Sequence, residues 1–333
     1  MFLIRQAGPA DFAGVYRLAK LLDSYNLPAD PAYVRRLLEI SRDSFQGRLL
    51  KSTAKYLFVL EHNRKIVGSS LIIAKHGTPG HPHLWFALDT VTKRSRTLGL
   101  RRSHHVLRLG STEDGPTEVG GLIVLPGYRR HAERCGLQIS FVRFLYMAIH
   151  PARFEPEVLV EYRGAMGTGN TSLFWDRVGR VFTGLSYSKA DRLSVTNKEF
   201  IRSLLPHEPI YCALLPTAVQ RAIGAVHPSA QRAAGLLQRI GFRPIRQIEP
   251  FDGGPYYTAH RRKIRLVRQT RQFSAVRAWR EIGTSFLIGT ERGGSFRAVV
   301  ARGKMVSGRL FIGREPLKLL KVREGENLYA CPV

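Results

Sequence analysis

Glu118-Val119-Gly120-Gly121-Leu122-Ile123-Val124-Leu125-Pro126-Gly127-Tyr128-Arg129-Arg130 is the stretch on which the reading of this chain turns. Leu122 to Leu125 is an apolar run of strand length, stopped by Pro126-Gly127. Beyond Arg130, Leu137, Phe141, Phe144, Leu145 and Ala148 recur at helical spacing, which predicts a largely buried helix beginning near Gly136. A strand that feeds a loop and then a helix N-terminus presents unpaired N–H groups and a positive dipole end, an arrangement that suits a pyrophosphate. Arg129 and Arg130 add formal charge at that loop. The edge of Leu122-Ile123-Val124 offers backbone pairing to an extended amide chain such as the pantetheine arm of coenzyme A. A core strand followed by an ordinary basic loop accounts for the same residues, and this segment alone leaves both readings open.

Upstream, Phe2-Leu3-Ile4-Arg5 reads as a strand, and Asp11 as the cap of an amphipathic helix running through Leu18 and Leu22. Pro31 sits at a first-turn position before Val34, Leu37, Leu38 and Ser41, which predicts a second helix. Tyr56 to Leu60 and Ile66 to Ile73, joined by a polar turn, predict a hairpin. Residues 76–117, rich in Gly, Pro, His and Arg, read as an insertion with two short strands around Leu84-Trp85-Phe86 and His105-Val106-Leu107. Downstream, Val158 to Glu161 is the next strand. Asn170 and Thr171 are expected to cap a helix from Ser172 to Val178, with a further strand from Val181 to Leu185. A helix from Ala230 to Arg239 ends at Gly241 as a left-handed cap, and Ile245 to Ile248 is strand-like before the turn Phe251-Asp252-Gly253-Gly254-Pro255. Ser172-x-x-Trp175-x-x-x-Gly179 and Ala233-x-x-x-Leu237-x-x-x-Gly241 share a helix-then-glycine spacing, which suggests two related halves. Past Arg271, runs such as Phe286 to Ile288, Phe296 to Val300, Arg309 to Ile312 and Leu328 to Ala330 suggest a small β appendage.

The 333 residues suffice for real cores, and an apolar fraction of 44% argues against disorder. The N-terminus lacks a signal-peptide pattern, and no run approaches about twenty apolar residues, so a soluble cytoplasmic protein without membrane attachment is expected. Cys135, Cys212 and Cys331 are too few and too far apart for a disulfide framework or close metal-ligand pairs; they read as reduced thiols, and no metal is expected. The formal charge of +27 is spread along the chain, and its densest run, from His260 to Arg271, matches no nucleic-acid motif. Such a field favours a polyphosphorylated ligand as much as it favours nucleic acid.

Taken together, the opening stretch, Phe174-Trp175-Asp176-Arg177-Val178-Gly179, Ser188-Lys189-Ala190-Asp191, Pro209-Ile210-Tyr211, Val226-His227-Pro228 and Phe251-Asp252-Gly253-Gly254-Pro255 resemble arginine N-succinyltransferases, in the same order and at similar spacings. The element order also resembles the GNAT acyltransferase fold. The resemblance implies an α/β (α+β) protein with a GNAT-like mixed sheet flanked by helices. Residues 1–193 would be the acyl-CoA-binding domain, 194–271 a second half, and 272–333 the β appendage. It implies succinyl transfer from succinyl-CoA, a co-substrate rather than a resident cofactor, to the α-amino group of arginine, and it makes a homo- or hetero-oligomer plausible. Leu122 falls on the family's succinyl-CoA contact and His227 on its proton donor; Val124, Arg130 and Gly136 complete the expected CoA-binding set.

Where many GNAT enzymes carry a tyrosine donor, the comparable positions are Trp175 and Leu237, a vacancy that His227 could fill; a histidine before proline that merely shapes helix entry is the alternative. One departure concerns the loop Arg130 to Gly136, which has a single glycine where the family has Gly-x-Gly and carries Glu133, an unwelcome neighbour for phosphate. For the acceptor's guanidinium, Glu161, Asp176, Asp191 and Asp252 are candidates by type, each with a turn or surface role as the alternative. Another acyl-CoA or amine, or a basic binding module of the same fold without catalysis, are the competing readings.

Overall fold

Strand β1 (Leu3–Gln6) opens the chain in the computed structural model, which describes residues 1–22, 26–167, 171–280 and 283–333. Helices α1 (Phe12–Leu22) and α2 (Pro31–Phe45) follow, then the hairpin β2 (Lys55–His62) and β3 (Lys65–Ile73). Next come β4 (His83–Ser95), β5 (Leu100–Thr112), β6 (Thr117–Val124), α3 (Cys135–Ile149) and β7 (Glu157–Glu161). Short helices α4 (Leu173–Arg177), α5 (Gly179–Thr183), α6 (Tyr187–Ser194) and α7 (Glu199–Leu204) lead to β8 (Ile210–Tyr211), α8 (Thr217–Ala222) and α9 (Gln231–Gln238). The chain continues through β9 (Arg243–Ile248), β10 (Pro255–His260), α10 (Arg265–Gln269), β11 (Arg271–Arg277) and β12 (Thr284–Arg292). It closes with β13 (Ser295–Val306), β14 (Arg309–Ile312), α11 (Arg314–Leu320) and β15 (Asn327–Pro332).

These elements fall into two units, one of Met1–Lys75, Thr117–Val158 and His260–Val333, the other of His76–Pro116 and Leu159–Ala259. The expected cut at 193 therefore lies inside the second unit and that at 271 inside the first. Among the described residues no helix is long and apolar enough to cross a membrane.

In the first unit, β1, β2, β3 and β6 form an antiparallel run. Helices α1 and α2 bury one stripe each, with Val15, Leu18 and Ala19 on α1 and Val34, Leu37 and Leu38 on α2, against Leu57, Val59 and Leu71. Asp30 caps α2 by accepting the Tyr33 N–H at 2.8 Å, with Pro31 in the first turn as its fixed φ allows. Ser41 and Ser44 sit on the same buried face, where their hydroxyls accept the N–H groups of Leu57 and Lys55. Helix α3 is apolar on nearly every side, and Phe141, Val142, Phe144, Leu145, Tyr146 and Met147 are all buried, as expected for a helix enclosed by protein. The appendage is a closed five-stranded barrel: β11 pairs with β15, β15 with β12, β12 with β13, β13 with β14, and β14 returns in parallel to β11. Strand β1 pairs with β13 of that barrel on one side and with β2 on the other.

In the second unit, β10, β9, β4, β5 and β8 are successive antiparallel neighbours. A core of Leu84, Phe86, Leu107, Phe174, Trp175, Ile201, Ile248 and Phe251 joins this sheet to the short helices.

Four local expectations change. The two short strands of the insertion are the inner ends of a 13-residue pair, β4 and β5, whose outer halves are exposed and rich in Arg and Lys. Val181 to Leu185 is not a strand: α5 occupies Gly179–Thr183 and ends at Gly184 in the left-handed conformation (φ 69°), whose N–H donates to the Arg180 carbonyl. β-branched and aromatic content is a weak backbone preference, and it yields here to a well-capped turn. Asp11 lies in a 3-10 turn ahead of α1, where it accepts the Gly8 N–H and binds the Arg5 guanidinium with both oxygens. Asn170 lies outside the described residues; the helix it was expected to cap is capped by Ser172, whose hydroxyl accepts the Trp175 N–H at 2.9 Å.

Candidate active site

The first unit holds the expected acyl-donor residues. Ser69 of β3 pairs with Ile123 and Leu71 with Gly120, so Gly121 and Leu122 together face Ser70 alone, which is a β-bulge. Gly121 adopts φ +55° there, a left-handed conformation that costs a glycine little. The bulge sits at the predicted ligand strand, Leu122 is half-buried beside it, and the buried Ser70 hydroxyl has no hydrogen-bond partner among the described residues. Val124 is buried. The chain then passes through a 3-10 turn, and the Arg129 guanidinium folds back to donate to the Val124 carbonyl at 2.9 Å.

Arg130 is exposed, and Gly136 stands in the first turn of α3. Arg134, the residue before α3, has φ 54° and no side chain caps the helix. A left-handed non-glycine residue costs about 1–2 kcal/mol, so this loop reaches with arginine a conformation usually left to glycine. Glu133, the expected repulsive group, is paired with the Met1 ammonium at 3.3 Å, which offsets its charge. Arg130, Arg134 and the positive end of the α3 dipole bring positive charge to this single-glycine loop.

His227 belongs to the second unit and is held from both ends. Its backbone N–H donates to the Arg163 carbonyl at 2.8 Å, and three residues earlier the Gly224 N–H donates to the Gly253 carbonyl at 2.8 Å. Those two anchors are themselves laced together by Asp252, whose carboxylate accepts the Gly164 N–H at 2.9 Å and the Gly254 N–H at 2.8 Å. A Cβ on Gly164 would stand 2.3 Å from the Asp252 carbonyl oxygen, and one on Gly254 1.9 Å from that of Tyr162. Glycine is therefore required at both points by the approach of two backbones, which explains Asp252-Gly253-Gly254 in chemical terms. The imidazole of His227 is half-buried, with Nδ1 engaged by Ser229 (Oγ at 2.7 Å, N–H at 3.2 Å). Proton exchange with anything else falls to Nε2.

Around this frame lies an acidic group. Burial, with the charges of Asp252 and Glu161 added, pushes Glu249 well above the usual carboxylate range, although it keeps some solvent exposure. Glu249 accepts the N–H groups of Phe251 and Asp252 at 2.7 and 2.8 Å. Burial likewise raises Asp252, opposed by its bonds from Gly164 and Gly254 and by the Arg163 charge. Tyr187 is pushed far up by burial and by Asp191, Asp252 and Glu249, so its phenol stays neutral.

Of the four carboxylates read from the sequence, Asp252 holds the Gly-Gly turn and Asp176 pairs with Arg180 on a helix surface at 3.5 Å. Asp191, on α6, acts on Tyr187, and Glu161, at the end of β7, faces His76 and His83. Glu249 was missed, since a single Glu next to Pro250 carries no spacing signal. Trp175 and Leu237 are fully buried; the Trp175 indole N–H donates to the Leu185 carbonyl and its ring stacks on Phe251.

The sequence pattern of the family described as "Arginine N-succinyltransferase beta subunit" matches residues 2–266. The chain is 33% identical to "Arginine N-succinyltransferase subunit alpha" of Pseudomonas aeruginosa, covering 98% of both proteins. It is 30% identical to "Arginine N-succinyltransferase" of Photorhabdus laumondii, covering 98% of this chain and 97% of that protein. The solved arginine/ornithine succinyltransferase subunit AI of Pseudomonas aeruginosa superposes with a TM-score of 0.87 at 32% identity, over 100% of this chain and 98% of that one.

If the Arg130 loop carries the anion site, Arg130→Glu weakens coenzyme A binding by about tenfold at low ionic strength, and added salt narrows the difference. Isothermal titration of both proteins with coenzyme A at two salt concentrations measures it, and equal affinities at low salt would remove Arg130 from the site.

Proposed function

Because the chain belongs to the arginine N-succinyltransferase family, we propose that it transfers the succinyl group of succinyl-CoA directly to the α-amino group of arginine. The observation that carries the chemistry is the tethering of His227 Nδ1 by Ser229, which reserves Nε2 for proton exchange. In the tautomer that donates Nδ1–H to Ser229 Oγ, which gives up the Ser229 N–H bond to that nitrogen, Nε2 accepts a proton from the acceptor's ammonium group. The freed amine attacks the thioester carbonyl and the C–N bond forms; as the C–S bond breaks, the nitrogen releases its surplus proton to solvent. The departing thiolate then takes the proton from Nε2, and the imidazole returns to its starting state.

Leu122, Val124, Arg130 and Gly136 are the residues this reading assigns to the acyl donor, in keeping with the bulge and the α3 N-terminus. The GNAT-like order of elements in the first 193 residues supports the same assignment. For the acceptor, Glu249 is the carboxylate chosen for the guanidinium: it is partly exposed, costly to ionise alone, and relieved by an incoming cation. The name of the solved relative adds ornithine, a shorter cation with the same amino-acid head, and two of the relatives' names describe subunits, which favours assembly into an oligomer.

Thiol release from a panel of acyl-CoA donors with arginine or ornithine is the direct test. Succinyl-CoA is expected to turn over faster than acetyl-CoA; equal or faster acetyl transfer would refute the succinyl assignment while sparing the fold.

His227→Asn keeps an oxygen near the Nδ1 position, able to accept the Ser229 N–H, and lacks the Nε2 proton site. Turnover should fall by roughly 10²–10⁴-fold with the melting temperature nearly unchanged; wild-type turnover in a folded variant would eliminate the catalytic role.

Glu249→Gln keeps the acceptor for the Phe251 and Asp252 N–H groups and removes the charge. It should raise KM for arginine by about tenfold or more and leave KM for succinyl-CoA in place, and an unaltered arginine KM would show that the guanidinium binds elsewhere.

A further inference from the structure

We propose that His76, His83 and Glu161 of the second unit form a binding site for a divalent transition-metal ion, zinc foremost. One donor atom from each residue lies within 4.8 Å of the other two. Glu161 Oε1 is 3.9 Å from His76 Nε2 and 3.8 Å from His83 Nδ1. Tetrahedral zinc with bonds of about 2.0–2.1 Å spaces its ligand atoms roughly 3.3 Å apart, so the two Glu161–histidine distances would each contract by about half an ångström on binding.

The second observation is independent of this clustering. His83 is 3% exposed, yet among the described residues its Nδ1 has no hydrogen-bond partner, and it faces the Glu161 carboxylate. Burial, with the charges of His76 and Lys198 added, holds this imidazole well below its ordinary titration, so it is a neutral ring with an available lone pair. A buried nitrogen left unpaired is destabilising by about 1–3 kcal/mol, and coordination would satisfy it.

The scaffold around the three donors is stiff. The His76 N–H donates to the Pro116 carbonyl at 2.7 Å, the Gly115 N–H to the Gly77 carbonyl, and Thr78 and His81 exchange both backbone bonds across Pro79-Gly80. The His83 ring stacks on Tyr256 and meets the His76 ring edge-on at 4.6 Å. Two imidazoles and one carboxylate are a donor set for zinc or ferrous iron, with a fourth position left for water. An ion here would fix Glu161 two residues before Arg163, whose carbonyl holds the His227 backbone. The site would then act as a structural staple for the catalytic loop.

The test is titration of the full-length, chelator-treated protein with Co²⁺, read by visible absorption, followed by competition with Zn²⁺. One equivalent should give a tetrahedral d–d spectrum that Zn²⁺ abolishes. Glu161→Gln and His83→Phe, the latter keeping a ring against Tyr256, should each weaken binding by at least about a hundredfold. His105→Ala, at an exposed histidine of β5, should leave binding intact. Circular dichroism reports folding, and His76→Gln, nearer the surface, serves if His83→Phe does not fold. Absence of saturable Co²⁺ binding, or wild-type affinity in the folded ligand variants, would overturn the site. Because the readout does not involve acyl transfer, either result leaves the succinyltransferase reading to its own assays.

Discussion

A single carboxylate, that of Asp252, decides how closely two stretches of the second unit can approach. By accepting the N–H groups of Gly164 and Gly254 it turns two converging backbones, which would otherwise leave donors unpaired in a dry interior, into one bonded frame. Loop 224–227 hangs on that frame through Gly253 and Arg163. Removing the charge would undo the frame and displace the imidazole together with it. The same burial that makes Asp252 a good staple raises its cost of ionisation and that of Glu249 beside it. The staple and the raised carboxylates beside it thus arise from one crowding of acidic groups.

The first unit solves a different problem. The strand proposed for the acyl donor must leave backbone groups available without unravelling the sheet, and the bulge at Gly121-Leu122 does so locally while Gly68 and Ser69 keep their register with Val124 and Ile123. Behind that strand, α3 is enclosed by apolar contacts on nearly all sides, so the helix whose N-terminus faces the anion loop is held in place by packing rather than by a cap. Arg5 ties β1 to the 3-10 turn before α1 and to β2 through Asp11 and Glu61, both at 2.8 Å.

Much of this was legible in the residues, for reasons that can be named. The strand, loop and helix from Leu122 onward were readable because an apolar run, a Pro-Gly stop and a 3.6-residue period coincide there. The outer halves of β4 and β5 were hidden, since exposed strands rich in Arg and Lys have no buried face to impose alternation. Val181 to Leu185 misled because strand-like residues were weighed without the glycines on either side. His227 was found by likeness alone: nothing local separates it from a histidine that opens a 3-10 turn, and it does also accept the Ser229 N–H. Glu249, His76 and His83 were invisible for a simpler reason, that their neighbours in space are distant in sequence.

The pairing of β1 with β13 sets Ile4 against Ala298, so the first strand made has one of its two partners near the end of the chain. During synthesis the first unit cannot complete its sheet until the barrel strands have emerged, whereas residues 159–259 are by then already outside the ribosome. Long-range closure of this kind is slow, because the loop entropy is lost before the contacts are gained. For most of its birth the chain therefore carries an unpaired edge on β1, and the charge of Arg5, the residue that comes to stand opposite Arg297 of β13, discourages strands of a neighbouring chain from pairing there.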